Sequence, residues 1–422
     1  MARKFFTRLF TGLFTGLFIT SQAQGADLAQ DVSVKTDVGR TVTDGLISAD
    51  DVPQFVQTYQ WQATAKFKPK DSTFFLIDSS LLGLILEDFD GEKNGTRAQI
   101  EKPMSDRRKG KISLNEIYGV YEPIPSWSLT LGRKRITWGS GYFRNPTDLI
   151  NPSKNILDPT AARKGTFLGS LDYRQESSTW TVLKSGATRE KENGVPDQIY
   201  EIEGKTREMT AARYWTLLGN YDLSIMRLDD NGYTKPGVRD IDTGVSVSGL
   251  VVDALEVHGE ALLKNTKGQK DYIVGFGYTF SNESTFTLEY LHNDLGQSAS
   301  EFASLAKKLY VGKKLGRRPS GNSDENLTGK LSLKDHFALG LQRYKYNDDI
   351  FLTFNTLINP LHQAAALSPG VNWMARDWVS ISLVGFYNKS FSGAKLPDDS
   401  KVSEQDLFPM PLRTSFEIKA YF

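Results

Sequence analysis

Leu412-Arg413-Thr414-Ser415-Phe416-Glu417-Ile418-Lys419-Ala420-Tyr421-Phe422 ends the chain in strict alternation. Leu412, Phe416, Ile418, Ala420 and Phe422 share one face, and Arg413, Ser415, Glu417 and Lys419 share the other. One side therefore suits hydrocarbon and the other suits water, as in the closing strand of an outer-membrane β-barrel. The alternative reading is an amphipathic edge strand of a secreted β-sandwich.

The opposite end agrees with the barrel. Arg3, Lys4 and Arg8 precede a short apolar stretch from Leu9 to Ile19, and Ser21-Gln22-Ala23 supplies small residues at a cleavage site. Residues 1–23 are expected to be a secretory signal peptide, because a spanning helix needs about 20 apolar residues and Thr and Gly interrupt this run. Residues 24–52 are expected to be an N-terminal periplasmic segment or a first strand, and residues 53–422 the barrel.

Composition narrows the class. Over 422 residues the mean hydropathy is −0.38, while 11% aromatics and 36 glycines suit a sheet-rich chain with a wet interior. Losing three signal cations from 51 Lys and Arg, against 50 Asp and Glu, makes the mature charge about −2 and points away from a nucleic-acid partner. There is no cysteine, so disulfides, thiolate catalysis and Cys-based metal sites are excluded together.

Alternation recurs along the chain. Tyr272, Val274, Phe276, Tyr278 and Phe280 share a face, and Leu255, Val257, Gly259, Ala261 and Leu263 share another, opposed by Glu256, His258, Glu260 and Lys264. Those charges belong in the lumen, since facing lipid would be costly. The same test gives seventeen strands between residues 55 and 422. Single-chain bacterial barrels have even strand numbers, so an eighteenth is expected within Asp31 to Asp51, where Val32, Val34, Val38 and Val42 keep a weak pattern. The expected fold is thus an all-β transmembrane antiparallel barrel of 16–18 strands, with eighteen favoured. Short turns such as Pro123-Ile124-Pro125-Ser126 fall at the periplasmic end, and the long connections 87–110, 138–165, 188–208, 293–335 and 389–410 fall outside. Aromatics near strand ends, among them Tyr59, Trp61, Trp127, Tyr173, Trp180, Trp215, Trp373, Trp378 and Tyr421, are expected to form interfacial girdles.

The segment from Gly132-Arg133-Lys134-Arg135 through Trp138-Gly139-Ser140-Gly141-Tyr142-Phe143-Arg144 to Asn145-Pro146-Thr147-Asp148 joins a cationic strand end to a loop of turn-forming residues. Either it folds into the lumen and narrows a pore, or it is a rigid external cap. The parity of Trp127, Leu129 and Leu131 turns Arg133 and Arg135 outward unless a bulge forms near Gly132 or the strand has left the bilayer there. Pore-lining or constriction candidates are Arg133, Lys134, Arg135, Trp138, Tyr142 and Arg144, with Lys66, Glu116, Arg213, Glu256, Glu260, Lys264 and Arg343 from strand parity.

Residues 112–165, with Leu114-Asn115-Glu116-Ile117-Tyr118, Gly132-Arg133, Trp138-Gly139, Asn145-Pro146, Asn151-Pro152 and Leu157-Asp158-Pro159, resemble a group of Gram-negative outer-membrane porin-like barrels, the DUF1302-like or alginate-export-like group. The position after Gly132-Arg133 is Lys134, where the group commonly has Gln. The resemblance implies an outer-membrane channel or export pore and supplies no catalytic residue.

Within 293–335, Phe302, Leu305, Ala306 and Leu309 are spaced for one face of a short helix capped by Ser300, followed by a basic cluster of Lys307, Lys308, Lys313, Lys314, Arg317 and Arg318. That cluster suits lipopolysaccharide phosphates or anionic solutes, or is a solvated face. Of four histidines, His258, His292, His336 and His362, none lies in a nucleophile motif, so no catalytic residue and no enzyme is expected. Asp88, Asp90 and Glu92 do not have EF-hand spacing, and neither a metal nor a cofactor is expected. The expected function is diffusion or export of small solutes, anionic or amphiphilic, because basic residues exceed acidic ones on the strands. The rivals are an outer-membrane enzyme and a plugged barrel acting as a binding or structural protein. Expected partners are outer-membrane lipid and lipopolysaccharide, the barrel-assembly machinery through the strand ending at Phe422, and small solutes, with no nucleic acid.

Overall fold

The structure is a computed structural model and describes residues 26–40, 55–87, 108–151, 156, 165–186, 208–230, 240–265, 268–294, 296–315, 333–403 and 412–421. The signal peptide, the side chain of Tyr59, the Asp88, Asp90 and Glu92 cluster, Arg317, Arg318 and Phe422 lie outside the described residues.

The strands are β1 (Ala26–Arg40), β2 (Phe55–Lys70), β3 (Thr73–Glu87), β4 (Arg108–Ile124), β5 (Trp127–Lys134) and β6 (Thr166–Arg174). Next come β7 (Ser178–Ser185), β8 (Met209–Leu218), β9 (Tyr221–Asp230), β10 (Asp240–Val252), β11 (Leu255–Lys264) and β12 (Gln269–Thr279). Then follow β13 (Thr285–Asn293), helix α1 (Ala299–Lys314), β14 (Asp335–Lys345), β15 (Ile350–Asn359), β16 (Ala364–Arg376) and β17 (Val379–Ser390). A short hairpin of β18 (Ala394–Lys395) and β19 (Lys401–Val402) precedes the last strand, β20 (Leu412–Tyr421).

Each strand from β1 to β17 pairs antiparallel with the next, except that β17 pairs with β20. β20 then pairs with β1 from Asp31 opposite Tyr421 to Arg40 opposite Leu412. This closes an 18-stranded antiparallel barrel and leaves no unpaired sheet edge. The eighteenth strand is Ala26–Arg40, beginning before the expected 31–51 window.

Alternation decides which way each side chain points. On β12, Val274 and Tyr278 are exposed on the outer face, while Asp271 and Ile273 are buried on the inner one. On β20, Leu412, Phe416 and Ile418 are exposed on the outer face. Connections at one end are tight: Lys70 to Thr73, Ile124 to Trp127, Gly219-Asn220 and the Asn347 turn, where Asn347 Oδ1 accepts from Ile350 N at 2.7 Å. Ala26, the start of β1, and Tyr421, the end of β20, lie at that short-turn end. Outer aromatics gather there too, with Trp127 against Tyr173 at 4.9 Å and Trp180 against Tyr214 at 4.5 Å, and Trp373 and Trp378 exposed. Trp215 departs from the girdle expectation: it shares the inner face of β8 with Arg213 and lines an interior cavity, because parity and not nearness to a strand end sets the face.

Candidate functional site

The described part of the connection between β5 and β6 runs across the barrel interior and docks on the inner wall several strands away. Four wall residues hold it. Glu260 on β11, 3% exposed, accepts from Gly141 N at 2.6 Å, Asn145 Nδ2 at 2.8 Å, Thr147 N at 3.2 Å and Thr147 Oγ1 at 2.7 Å. Glu289 on β13, fully buried, accepts from the backbone N–H of Tyr142 and from Phe143 N at 3.1 Å, and also contacts His258 Nε2 at 2.9 Å. Asp271 on β12 pairs with Arg144 Nη2 at 2.5 Å, and Glu116 on β4 accepts from Arg135 N at 2.6 Å. A buried carboxylate is tolerated only when donors surround it, and here the loop supplies them.

Local sequence makes this presentation possible. Asp148 N donates to Asn145 O at 3.1 Å, closing a turn with Pro146 at its second position, where the fixed φ of proline belongs. That turn aims Asn145 and Thr147 at one carboxylate. Gly139 has φ +89°, and a Cβ there would lie 2.4 Å from Glu260 Oε1, so this position requires glycine both for backbone and for space. Asn151 ties the loop back on itself, accepting from Ile136 N at 3.1 Å and donating to Asp148 Oδ1 at 2.7 Å.

Two apolar patches cover what the carboxylates do not. Trp138 and Ile150 pack with Leu183, Met209, Ala211, Met226, Leu228 and Leu262 on the inner faces of β7, β8, β9 and β11. Phe143 packs with Ile273, Leu291, Ala338, Leu357 and Ala366 of β12 to β16. This cover explains why apolar residues stand on the inner face of the barrel.

The sequence-selected residues divide accordingly. Glu116, Arg135, Tyr142, Arg144 and Glu260 belong to the loop attachment, with Trp138 in its apolar contact. Arg213 sits with its guanidinium carbon 5.7 Å from the Trp138 ring centre. Lys134 Nζ lies 5.1 Å from the Tyr118 ring centre, and Lys66 Nζ lies 5.1 Å from that of Phe74, both on the inner face. Glu256 and Lys264 occupy the two ends of the inner face of β11. Arg343 has φ +51° in the irregular pairing between β14 and β15, over the Phe351 ring. Arg133 takes the outward face, beside Phe167, and donates from Nε to Gly165 O at 2.7 Å, which removes it from the lumen. The bulge-like Gly132, φ +129°, does not reverse it. Glu289 and Asp271 were not among the selected residues; their inward parity opposite Tyr290 and Tyr272 was the available signal.

At the long-loop end, α1 buries Phe302, Ala306 and Leu309 against Leu333, Ala394, Leu396 and Val402, with Phe302 against the His362 ring at 4.8 Å. Its cap is Ser298, not Ser300, because Ser298 and Glu301 bond reciprocally: Ser298 N donates to Glu301 Oε2 at 2.7 Å and Glu301 N to Ser298 Oγ at 3.4 Å. The remaining histidines also have partners. His292, on the outer face, meets Asp335 at 2.7 Å and Asp294 at 3.2 Å, and His336 meets Asn359 at 3.3 Å. Among the described residues no group of three or more His, Asp or Glu has the arrangement of a metal site.

No protein-family model matches the chain, and no curated protein matches it. The resemblance of residues 112–165 to the DUF1302-like or alginate-export-like group therefore rests on those residues alone. Solved structures do match over nearly the whole barrel. A BenF-like porin from Pseudomonas fluorescens Pf-5 superposes with a TM-score of 0.55 at 7% identity, covering 94% of this chain and 99% of that one. Pseudomonas aeruginosa OccK2 (OpdF), solved in complex with glucuronate, superposes with a TM-score of 0.54 at 8% identity over 94% and 99% of the two chains. Pseudomonas aeruginosa OccK5 (OpdH) gives 0.52 at 7% identity over 94% and 98%. At such identities the likeness is one of fold alone: this chain's 18-stranded barrel superposes on the fold of a porin.

Proposed function

We propose that this chain is a channel of the bacterial outer membrane, reached after signal-peptide cleavage, through which small solutes diffuse. The long loops are extracellular and the short turns periplasmic. The observation that carries the reading is the loop attachment: four buried or half-buried carboxylates bind the loop to the inner wall, which narrows the lumen without a chemical step.

The loop covers much of the wall from β7 to β16, leaving a gap over β8 to β10 beside Gly139-Ser140, and the opposite wall stays clear of it. There Lys66, Phe74, Tyr118 and Lys134 form a row on β2 to β5, with the Phe74 and Tyr118 rings 6.3 Å apart. Cations beside aromatic rings favour anionic or amphiphilic solutes. The carboxylates Glu116, Glu260, Asp271 and Glu289 are already engaged by donors and weigh less in the lumen field. At the outer surface the exposed Lys307, Lys308 and Lys314 of α1 would meet lipopolysaccharide phosphates. In the periplasm β20 would be the segment that the barrel-assembly machinery receives.

The test is single-channel conductance of the refolded protein in a planar bilayer, with reversal potential under a salt gradient. Stable, anion-preferring conductance is expected. An inserted barrel that stays silent would overturn the channel reading in favour of a plugged barrel that binds a partner.

A further inference from the structure

Beside the loop, a cavity of about 250 Å³ opens between Gly139-Ser140 and the inner faces of β8, β9 and β10. It is lined by Arg213, Trp215, Asp222, Leu223, Ser246 and Ser248. The register brings them together: Trp215 is opposite Ser224, Ser224 is opposite Ser246, and Asp222 is opposite Ser248. We propose that this cavity is a binding subsite for one ring of a neutral saccharide, with Trp215 as the stacking face and Arg213, Asp222, Ser246 and Ser248 as hydroxyl partners.

The residue types argue for that class. An indole offers a flat apolar face with a polar edge, which suits the C–H face of a pyranose. Hydroxyls both donate and accept, and this wall supplies a donor-only guanidinium, an acceptor-only carboxylate and two hydroxyls of its own. Arg213 Nε is buried and donates to no acceptor among the described residues, although its guanidinium is fixed above by the Trp138 ring at 5.7 Å. A buried donor of this kind is a group that a ligand oxygen satisfies.

Charge argues against an ionic ligand. Asp222, Glu260 and Asp172 all act electrostatically on Arg213, so the cavity holds charge of both signs close together. Asp172 accepts from Thr181 Oγ1 at 2.6 Å, and Glu260 is held by the loop, which leaves Asp222 as the carboxylate facing the cavity. A solute carboxylate would approach Asp222 and a solute ammonium would approach Arg213, whereas a neutral polyol meets both as hydrogen-bond partners. The volume lies just under the range of about 300–1,000 Å³ typical of drug-sized sites, so one ring fits and a longer chain would extend into the lumen.

The inference goes beyond the anion preference proposed for the opposite wall and rests on the channel reading only for access of the sugar, while binding is measured without conduction. Saturation-transfer NMR on the detergent-solubilised full protein would use D-glucose, with glucuronate and glucosamine as its charged counterparts. Glucose is expected to bind on the order of millimolar, as a transport site that must also release its solute requires. Trp215→Ala and Asp222→Asn should each weaken it about tenfold, with Trp215→Phe intermediate. Glucose binding that is absent from the wild type, unchanged in a folded Trp215→Ala barrel, or weaker than that of either charged counterpart would overturn the assignment. A conducting barrel that binds no glucose overturns the subsite and leaves the channel. A silent barrel that binds it overturns the channel and leaves the subsite.

Discussion

His258 of β11 reaches Glu289 of β13 at 2.9 Å across the intervening strand, over Gly275 of β12. A Cβ at Gly275 would lie 2.6 Å from His258 Nε2, 2.6 Å from Leu288 O and 2.7 Å from Glu289 Cγ. The glycine is therefore the space through which two alternate strands make contact, and Glu289 is in turn the acceptor for the Tyr142 and Phe143 backbone.

Gly275→Ala should displace Glu289 from the loop. Because one of the clashing atoms is backbone, relief requires strand movement, and a cost of about 1–3 kcal/mol is expected. Thermal unfolding of the detergent-solubilised barrel, followed by the loss of its sheet signal, measures it. A melting temperature equal to that of the wild type would show that the strand relaxes freely.

Glu260→Ala removes the acceptor of four loop donors at once. Bonds to a charged acceptor contribute about 1.5–3 kcal/mol each, not additively, and a destabilisation of about 3–5 kcal/mol of the attached loop is expected. Single-channel conductance should rise and become noisier as the loop leaves the wall. Glu260→Gln, which keeps the shape and part of the acceptor capacity, should fall between the two.

Lys66→Glu combined with Lys134→Glu should move the reversal potential toward cations while leaving conductance of the same order. Both side chains lie over inner-face rings of the β2 to β5 wall, so the fold is expected to tolerate the change. An unchanged reversal potential would remove the β2 to β5 wall from the solute path.

The cap of α1 is expected to be lost in acid. The Ser298 backbone N–H, and then its hydroxyl, hold the Glu301 carboxyl below the usual carboxylate range. A group whose pKa is lowered on folding contributes stability that is complete above its unfolded pKa of roughly 4.3 and disappears as pH falls through the lowered value. Protection of the first-turn amides of α1, taken relative to the intrinsic exchange rate at each pH, should therefore be high at neutral pH and fall below about pH 4. Glu301→Gln should flatten that dependence.

Much of this protein was decided by alternation alone. The two faces of β11 and β20, the inward set Glu256, His258, Glu260 and Lys264, and the outward parity of Arg133 all follow from a period of two. The same arithmetic would have turned Trp215 inward with Arg213, where nearness to a strand end pointed to a girdle. What alternation cannot express is which inward residues become neighbours once the sheet closes. Gly141 and Glu260 are 119 residues apart, and Phe143 and Glu289 are 146 apart. Their contact exists only because closure of β20 onto β1 curves the wall round to meet a loop that leaves from the far side. A strand period is a local property of the backbone, while the partners of a buried carboxylate are set by the geometry of the closed barrel, and only the tertiary structure holds that information.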